Sequence, residues 1–581
     1  MIMWGGATAA SQYEGGFDKK KGIDTQDCRP YLPRNSNATM QTRLLTKQVI
    51  QESKDEESKL YYPFRVGTKG YEYVEEDLNL LKELGIQIYR FSLSWARLFP
   101  KGIEEKPDME GVQYYDQIFE FCKQNNIKIF LTMNHYAVPL YLVENYGGWT
   151  NRNMIRYYLN FANFVFERWG SYVDYWLPFN EINAGYFSPY NGTGLIKPES
   201  EGYDMQKVFE SLHHQFVANA KTIQLAKKLK VSGEFGAMIS CFCYYPFTPK
   251  PEDNFKLVKE EQVNQWFCSD VLMKGKYPYY MDDFFEKNKV NLNITKDDKK
   301  VLSEFPCEFI SFSYYSSSVV TTEEVEKTAG NLVITTKNPY LQASEWGWQI
   351  DAIGLRTTLN KVYDRYNCPV IIAENGFGAK DVLEKEQVHD LYRINYFDSH
   401  FNEIIKAEKE DKVDIRAYIA WGIIDIVSAG SCEMDKRYGV IYVDGDNEGN
   451  GTYRRYKKDS FYWYQDFIKK QIKFKLEVIV MKHVLFICSG GMSSAIVEKA
   501  LEKEAEKNNV ELESSAVGSG EAEHAMKSKK WDIILVAPQV KHRFKLFKEV
   551  ADEMNLPIEL IQPRDYSPLG GKHLLALIEQ N

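Results

Sequence analysis

V-E-E-D-L-N-L-L-K-E-L-G-I-Q-I-Y-R-F (74–91) is the stretch that decides the architecture. Its first twelve residues carry apolar side chains at helical spacing, so Val74, Leu78, Leu81 and Leu84 share one face. The β-branched and aromatic run 86–91 then reads as a strand. The same alternation extends from residue 2 to about 470. Strands are expected at 2–5, 86–91, 127–134, 173–180, 236–243, 308–314, 370–374 and 415–421. Eight strands separated by helices predict an α/β fold, a (β/α)8 TIM barrel over 1–470 with long inserted loops. Residues 29–60 are polar, charge-rich and weakly periodic, and read as one insertion. The pattern breaks at K-K-Q-I-K-F-K-L (469–476), and 471–481 reads as a linker. Strand signals resume at 483–488, 511–517, 532–538 and 558–563, which predicts a small open α/β domain over 482–581 with a parallel four-stranded sheet. Met481 resembles the start of a once-separate protein.

With 581 residues the chain is too long for one ordinary core. Hydrophobic residues at 44% and charged residues at 26% are those of a soluble globular protein. The aromatic share, 14%, suits stacking on sugar rings as well as core packing. A net charge of −9 argues against a nucleic-acid partner. Nine scattered cysteines offer no paired C-x-x-C set for a metal. Cys241 and Cys243, two apart, are expected on one strand face as buried thiols. No secretory signal or membrane-length apolar run is evident, which fits a cytoplasmic protein. No cofactor is implied.

Two segments carry the chemistry. Glu181 lies in W-L-P-F-N-E-I-N (176–183) and Glu374 in I-I-A-E-N-G (371–376). Each closes an apolar strand and each adjoins an asparagine. Two carboxylates from separate strand ends suit glycoside hydrolysis, in which one protonates the leaving oxygen and the other attacks or stabilises the sugar cation. Barrel chemistry sits at the C-terminal strand ends. Asn180 shares the end that bears Glu181, and the other ends bear Gln12, Arg90, His135, Tyr314 with Tyr315, and Trp421. Polar or aromatic groups at seven ends are expected to face one mouth.

W-G-G-A-T-A-A-S-Q-Y-E-G (4–15), N-H-Y-A-V-P (134–139), Y-G-G-W (146–149), F-N-E-I-N (179–183) and A-E-N-G-F-G (373–378) make residues 2–470 resemble glycoside hydrolase family 1. The resemblance implies a retaining mechanism with Glu181 as acid/base, Glu374 as nucleophile and carboxyls about 5–5.5 Å apart. It also implies sugar contacts from Gln12, His135, Asn180 and Trp421. Arg90 and Tyr315 would support the nucleophile, with Arg90 lowering its pKa, while the acid should have a raised one. Pro178 stands where threonine is common. Ser313 stands where asparagine is frequent, and serine there is familiar in the phosphoglycosidase branch.

The loop I-I-D-I-V-S-A-G-S-C-E-M-D-K-R-Y-G (423–439) carries Ser428 and Ala429 where ordinary β-glucosidases of the family have glutamate and tryptophan. A carboxylate would repel a sugar phosphate. Ser428, Lys436 and Tyr438 resemble the phosphate clamp of the 6-phosphoglycosidases, and a cation with two hydroxyls suits a dianion. Ala429 and S-E-W-G-W-Q-I-D (344–351) resemble the phosphoglucosidases rather than the phosphogalactosidases.

In the last domain, Cys488 ends a strand and opens C-S-G-G-M-S-S-A (488–495) before a helix. Ser489, Gly490, Gly491, Met492, Ser493 and Ser494 form a small-residue loop whose backbone N–H groups could cradle a phosphoryl group on sulfur and lower the thiol pKa. A cysteine phosphatase would need arginine at the position of Ser494, so a carrier is favoured. V-L-F-I-C-S-G-G-M-S-S (484–494) and I-L-V-A-P-Q-V (534–540) resemble the lactose/cellobiose-type IIB component of the sugar phosphotransferase system. Gly490 replaces a common alanine. The resemblance implies a IIA phosphohistidine donor and a membrane IIC component as partners. The expected chain is a 6-phospho-β-glucosidase fused to a phosphocysteine carrier. The alternatives are an ordinary β-glucosidase with a vestigial tail and a transport component whose barrel senses sugar phosphate.

Overall fold

Eight parallel strands close into a barrel: β1 (Met3–Ala7), β2 (Ile88–Ser92), β3 (Lys128–Asn134), β4 (Tyr175–Phe179), β5 (Glu234–Ser240), β6 (Phe309–Ser313), β7 (Val370–Asn375) and β8 (Ile415–Ala420). Their order around the barrel follows the chain, and β8 pairs with β1 through Met3–Ala417 and Trp4–Tyr418. The computed structural model describes residues 2–33, 45–198, 202–478, 482–490, 492–508 and 510–580. The principal helices between and after the strands are α1 (Gly70–Leu84), α2 (Met109–Gln124), α3 (Met154–Trp169), α4 (Met205–Leu229), α5 (Lys296–Glu304), α6 (Ala352–Tyr366), α7 (Leu391–Lys409) and α8 (Asp459–Val478). Along α1 the stripe Val74, Leu78, Leu81 and Leu84 is buried, worth about 1.5–3 kcal/mol for each side chain. The helix ends at Gly85, whose φ of 83° is the left-handed conformation that glycine adopts without steric cost.

The barrel and its strand positions match the expectation from sequence. Three details differ. Cys241 follows the end of β5 and Cys243 begins a short separate strand, Cys243–Pro246, so the two do not share one strand. Both are buried, as expected. Within 29–60, Lys47–Ser53 forms a helix capped by Thr46, and 34–44 lies outside the described residues. Most of the expected linker is helical, because α8 continues to Val478.

The chain divides into two units, Met1–Gln465 and Asp466–Asn581. The second holds a four-stranded parallel sheet of β9 (Lys482–Cys488), β10 (Leu512–Gly518), β11 (Ile533–Val536) and β12 (Ile558–Leu560), in the order β10-β9-β11-β12. Its helices are α9 (Met492–Lys507), α10 (Ala522–Ser528), α11 (Phe544–Glu553) and α12 (Gly571–Gln580). The strand alternation sorts the core. Leu485, Ile487, Ile534 and Val536 pack with Met526 and Phe547 on one face. Val484, Phe486, Ile533 and Leu535 pack with Val497, Leu501, Leu574 and Ile578 on the other. Both faces are covered by helices, as a parallel sheet requires.

Candidate active site

The barrel site is built on a strand irregularity. The register of β7 against β6 shifts between Ile372 and Glu374, leaving Glu374 opposite Ser313. Such bulges re-aim a side chain. Ser313 donates a hydrogen bond to Glu181, which follows β4, so the pairing of β6 with β7 places the two carboxyls at the same end of the barrel. Both line one cavity, together with Gln12, His135, Tyr315 and Trp421.

Arg90, projecting from β2 and 1% exposed, organises the floor. Its Nη1 donates to Glu374 Oε1 at 2.6 Å, its Nη2 to Asn180 Oδ1 at 2.5 Å and its Nε to Thr132 at 3.1 Å. Tyr315 donates to Glu374 Oε2 at 2.8 Å. The expected lowering of the Glu374 pKa is not the net result. Burial raises it, and the Arg90 charge and the Arg90 and Tyr315 hydrogen bonds only oppose that rise. Glu181 is pushed up to about 8, first by burial and then by the Glu374 charge, against the Ser313 hydrogen bond and Arg90. A protonated carboxyl thus stands beside a second one that an arginine holds toward ionisation. His135 is driven well below the usual histidine range by burial and Arg90, so its ring is neutral. It stacks on Trp421 with centroids 5.4 Å apart.

Gln12 donates from Nε2 to the Val427 carbonyl at 2.8 Å, and its Oε1 has no hydrogen-bond partner among the described residues. The same holds for Asn180 Nδ2. Buried polar atoms without partners are expensive, and a polyhydroxylated ligand would satisfy an acceptor and a donor of this kind. Tyr314 departs from the expectation. Its neighbour Tyr315 enters the cavity, whereas Tyr314 donates to the Asp351 carbonyl at 2.7 Å. Four residues not singled out from sequence line the cavity: Tyr136, Asn331, Trp348 and Gly430. Tyr136 donates to Glu181 and adjoins His135 in the same quoted motif. Asn331 donates to Glu181 Oε1 at 2.9 Å from a turn with no strand-end signal.

The 423–439 loop closes one side of the cavity through Ala429, Gly430 and Tyr438. Ser428 Oγ lies 3.3 Å from the Tyr438 hydroxyl. Lys436 is 2% exposed, and its Nζ lies 3.5 Å from the centre of the Trp348 ring. That placement is a cation–π contact. Within the loop, Asp425 accepts from Arg437 and the Gly439 N–H, and it also accepts from Lys458 outside it. Arg393 donates to the carbonyls of Phe377, Arg437 and Tyr438. A buried ionic layer therefore fixes the loop backbone to the segment after β7.

In the second unit, Cys488 ends β9 and is buried. Its Sγ accepts from the Gly490 N–H at 3.4 Å, and its carbonyl accepts from Ser519 N at 2.8 Å. Gly490 adopts φ of 90°, and a Cβ there would meet open space. Ser489 and Gly490 are exposed, while Ser494 is buried in α9. Gly491 lies outside the described residues, as do the side chains of Met492 and Ser493. Arg543 reaches the adjoining turn, donating to the Ser519 carbonyl at 2.8 Å.

Comparison with known proteins follows the same division. The profile for glycosyl hydrolase family 1 matches residues 1–473, and that for the lactose/cellobiose-specific IIB subunit of the PTS system matches 483–577. The aryl-phospho-β-D-glucosidase BglH of Bacillus subtilis is 42% identical over 471 residues, covering 80% of this chain and 96% of that protein. The 6-phospho-β-glucosidase AscB of Escherichia coli is 38% identical, with 80% and 97% covered. A 6-phospho-β-galactosidase of Clostridium acetobutylicum is 30% identical, with 81% and 98% covered. Among solved structures, the family 1 β-glucosidase of Exiguobacterium antarcticum superposes with a TM-score of 0.67 at 25% identity, over 81% of this chain and 98% of that one. By its barrel, its paired glutamates and these matches, the chain belongs to glycosyl hydrolase family 1 and carries a PTS IIB domain following the barrel in sequence.

Proposed function

We propose that the barrel hydrolyses 6-phospho-β-glucosides with retention, releasing glucose 6-phosphate and an aglycone. Glu374 attacks the anomeric carbon while Glu181 passes its proton to the leaving oxygen. Glu181 then takes a proton from the water that releases the sugar from Glu374. Gln12, His135, Asn180 and Trp421 hold the sugar hydroxyls and ring, and Arg90 and Tyr315 hold the nucleophile. The observation that carries the reading is the buried Lys436 beside Tyr438 and Ser428, at the edge of the cavity that holds both glutamates. A buried cation with hydroxyls answers a phosphate dianion and has no counterpart on a neutral glucoside. The small Ala429 at the cavity wall supports the gluco configuration. The test is hydrolysis of p-nitrophenyl β-D-glucoside against its 6-phosphate. A preference of at least about a hundredfold for the phosphorylated form is expected, the size of a lost charged contact or two. Equal rates would point to an ordinary β-glucosidase, and binding without hydrolysis to a sensor.

For the second domain, Cys488 accepts a phosphoryl group from a IIA phosphohistidine and passes it to a sugar held by a membrane IIC component. The S–P bond forms as the N–P bond breaks, and the Gly490 N–H, which already meets the sulfur, faces the charge. Among the described residues no helix is long and apolar enough to cross a membrane. A cytoplasmic location follows from this route, in which the product of one domain is the substrate of the other.

A further inference from the structure

We infer that Asn331, carried into the cavity by a hairpin outside the barrel, is a positioning residue that fixes which oxygen of Glu181 bears the acid proton. The inference rests on the reading of Glu181 as the general acid and deepens it.

The hairpin pairs Lys327–Ala329 with Ile334–Thr336 in antiparallel register. Its turn closes by a hydrogen bond from Gly330 N to the Val333 carbonyl at 2.9 Å, and Leu332 takes a left-handed φ of 57°. The turn is held from two sides. Leu332 packs into a small apolar cluster with Tyr136 and Ala184, and Ser318 bridges the strand backbone at Thr336 with two bonds of 3.1 Å. Asn331 thereby spends both amide hydrogens at fixed points, on Glu181 Oε1 at 2.9 Å and on Ser240 Oγ at 3.3 Å.

Glu181 receives side-chain hydrogen bonds from Ser313 and Asn331 on Oε1 and from Tyr136 on Oε2. Two of these partners are hydroxyls, which rotate and accept as readily as they donate. They adapt to either protonation state. The amide hydrogen of Asn331 can only donate, so Oε1 must stay the acceptor oxygen throughout. The acid proton is then confined to Oε2, on the side of Tyr136, whose hydroxyl turns to accept it. Ser313 contributes a hydroxyl at the end of β6, so the obligate donor at this carboxyl comes from the hairpin.

The experiment uses the full chain and two 6-phospho-β-glucosides, one with a 2,4-dinitrophenyl leaving group that needs no protonation and one with a poor leaving group such as phosphorylated cellobiose. Asn331→Ala should lower kcat/KM on the poor leaving group about tenfold and leave kcat/KM on the activated substrate nearly unchanged, because kcat/KM reports the step up to the glycosyl-enzyme, and this lies within the span ordinary for acid catalysis. Because the lost donor favours the carboxylate, the alkaline limb of kcat should also move to higher pH, and further in Asn331→Asp, where a second anion adjoins Glu181. Equal loss on both substrates with an unmoved alkaline limb in both variants would overturn the proposal. Glu181→Gln run in parallel separates the two levels. If it retains full rate on phosphorylated cellobiose, Glu181 is not the acid and the inference falls with that reading.

Discussion

The two candidate sites are made of opposite materials. In the barrel the functional atoms are long side chains, and each is pinned by others: Arg90 by four acceptors, Lys436 by the Trp348 face, the 423–439 loop by Asp425 and Arg393. Around Cys488 the described contacts are backbone, with Gly490 N–H on the sulfur and the Val517 carbonyl at 3.5 Å. A side-chain site has many rotamers to suppress and needs a buried ionic layer to do it. A backbone site needs only a turn and a helix start, so a domain of one small sheet can carry it. The same contrast governs selectivity. On the proposed reading Lys436 would discriminate substrates without touching the reacting carbon, whereas Cys488 would itself carry the atom that reacts.

The largest effects should show that the sites work separately. Glu374→Gln is expected to lower turnover of a 6-phospho-β-glucoside by on the order of 10⁴-fold or more while leaving phosphorylation at Cys488 intact, read by mass spectrometry of the intact chain. Cys488→Ser should do the reverse. A Glu374 variant that also blocked Cys488 phosphorylation would break the division. Next in size, Lys436→Ala should reduce kcat/KM on the phosphorylated substrate by about tenfold to a hundredfold, as for one charged hydrogen bond, with the free glucoside little changed. Equal loss on both would remove Lys436 from the clamp. The smallest effect is on stability. The Glu181 carboxyl, raised to about 8, binds its proton more tightly when folded than when unfolded. Its contribution is complete below the ordinary glutamate range and is lost as pH rises through about 8. Glu181→Gln, which cannot ionise, should therefore melt above the parent at pH 9, by about 1 kcal/mol or more of stability, with the gap narrowing as pH falls and closing only in the ordinary glutamate range.

Much of this was legible in the sequence because it rested on periodicity. The stripe Val74–Leu78–Leu81–Leu84 dictated a buried helix face, and strands ending in Glu181 and Glu374 dictated a shared rim. What escaped were features set by tertiary context. Asn331 lies between two three-residue strands, too short for any pattern. Tyr314 and Tyr315 are indistinguishable by type, and the fold alone sends one to Asp351 and the other to Glu374. The balance at Glu374 depends on burial, and a sequence that shows Arg90 does not show how completely water is excluded. Lys473 and its neighbours read as a basic break, yet α8 runs through them because none of them is a helix breaker.

Glu181 sits at φ of 35°, a backbone region that residues with a Cβ occupy at a cost of order 1–3 kcal/mol. Glycine would occupy it freely and asparagine more readily than glutamate. A barrel freed from catalysis, as in a library selected for folding alone, would thus gain by losing the glutamate proposed as its acid. Position 181 is where a deep mutational scan for abundance and one for turnover should disagree most sharply, so the pair of scans would locate the acid without any ligand bound.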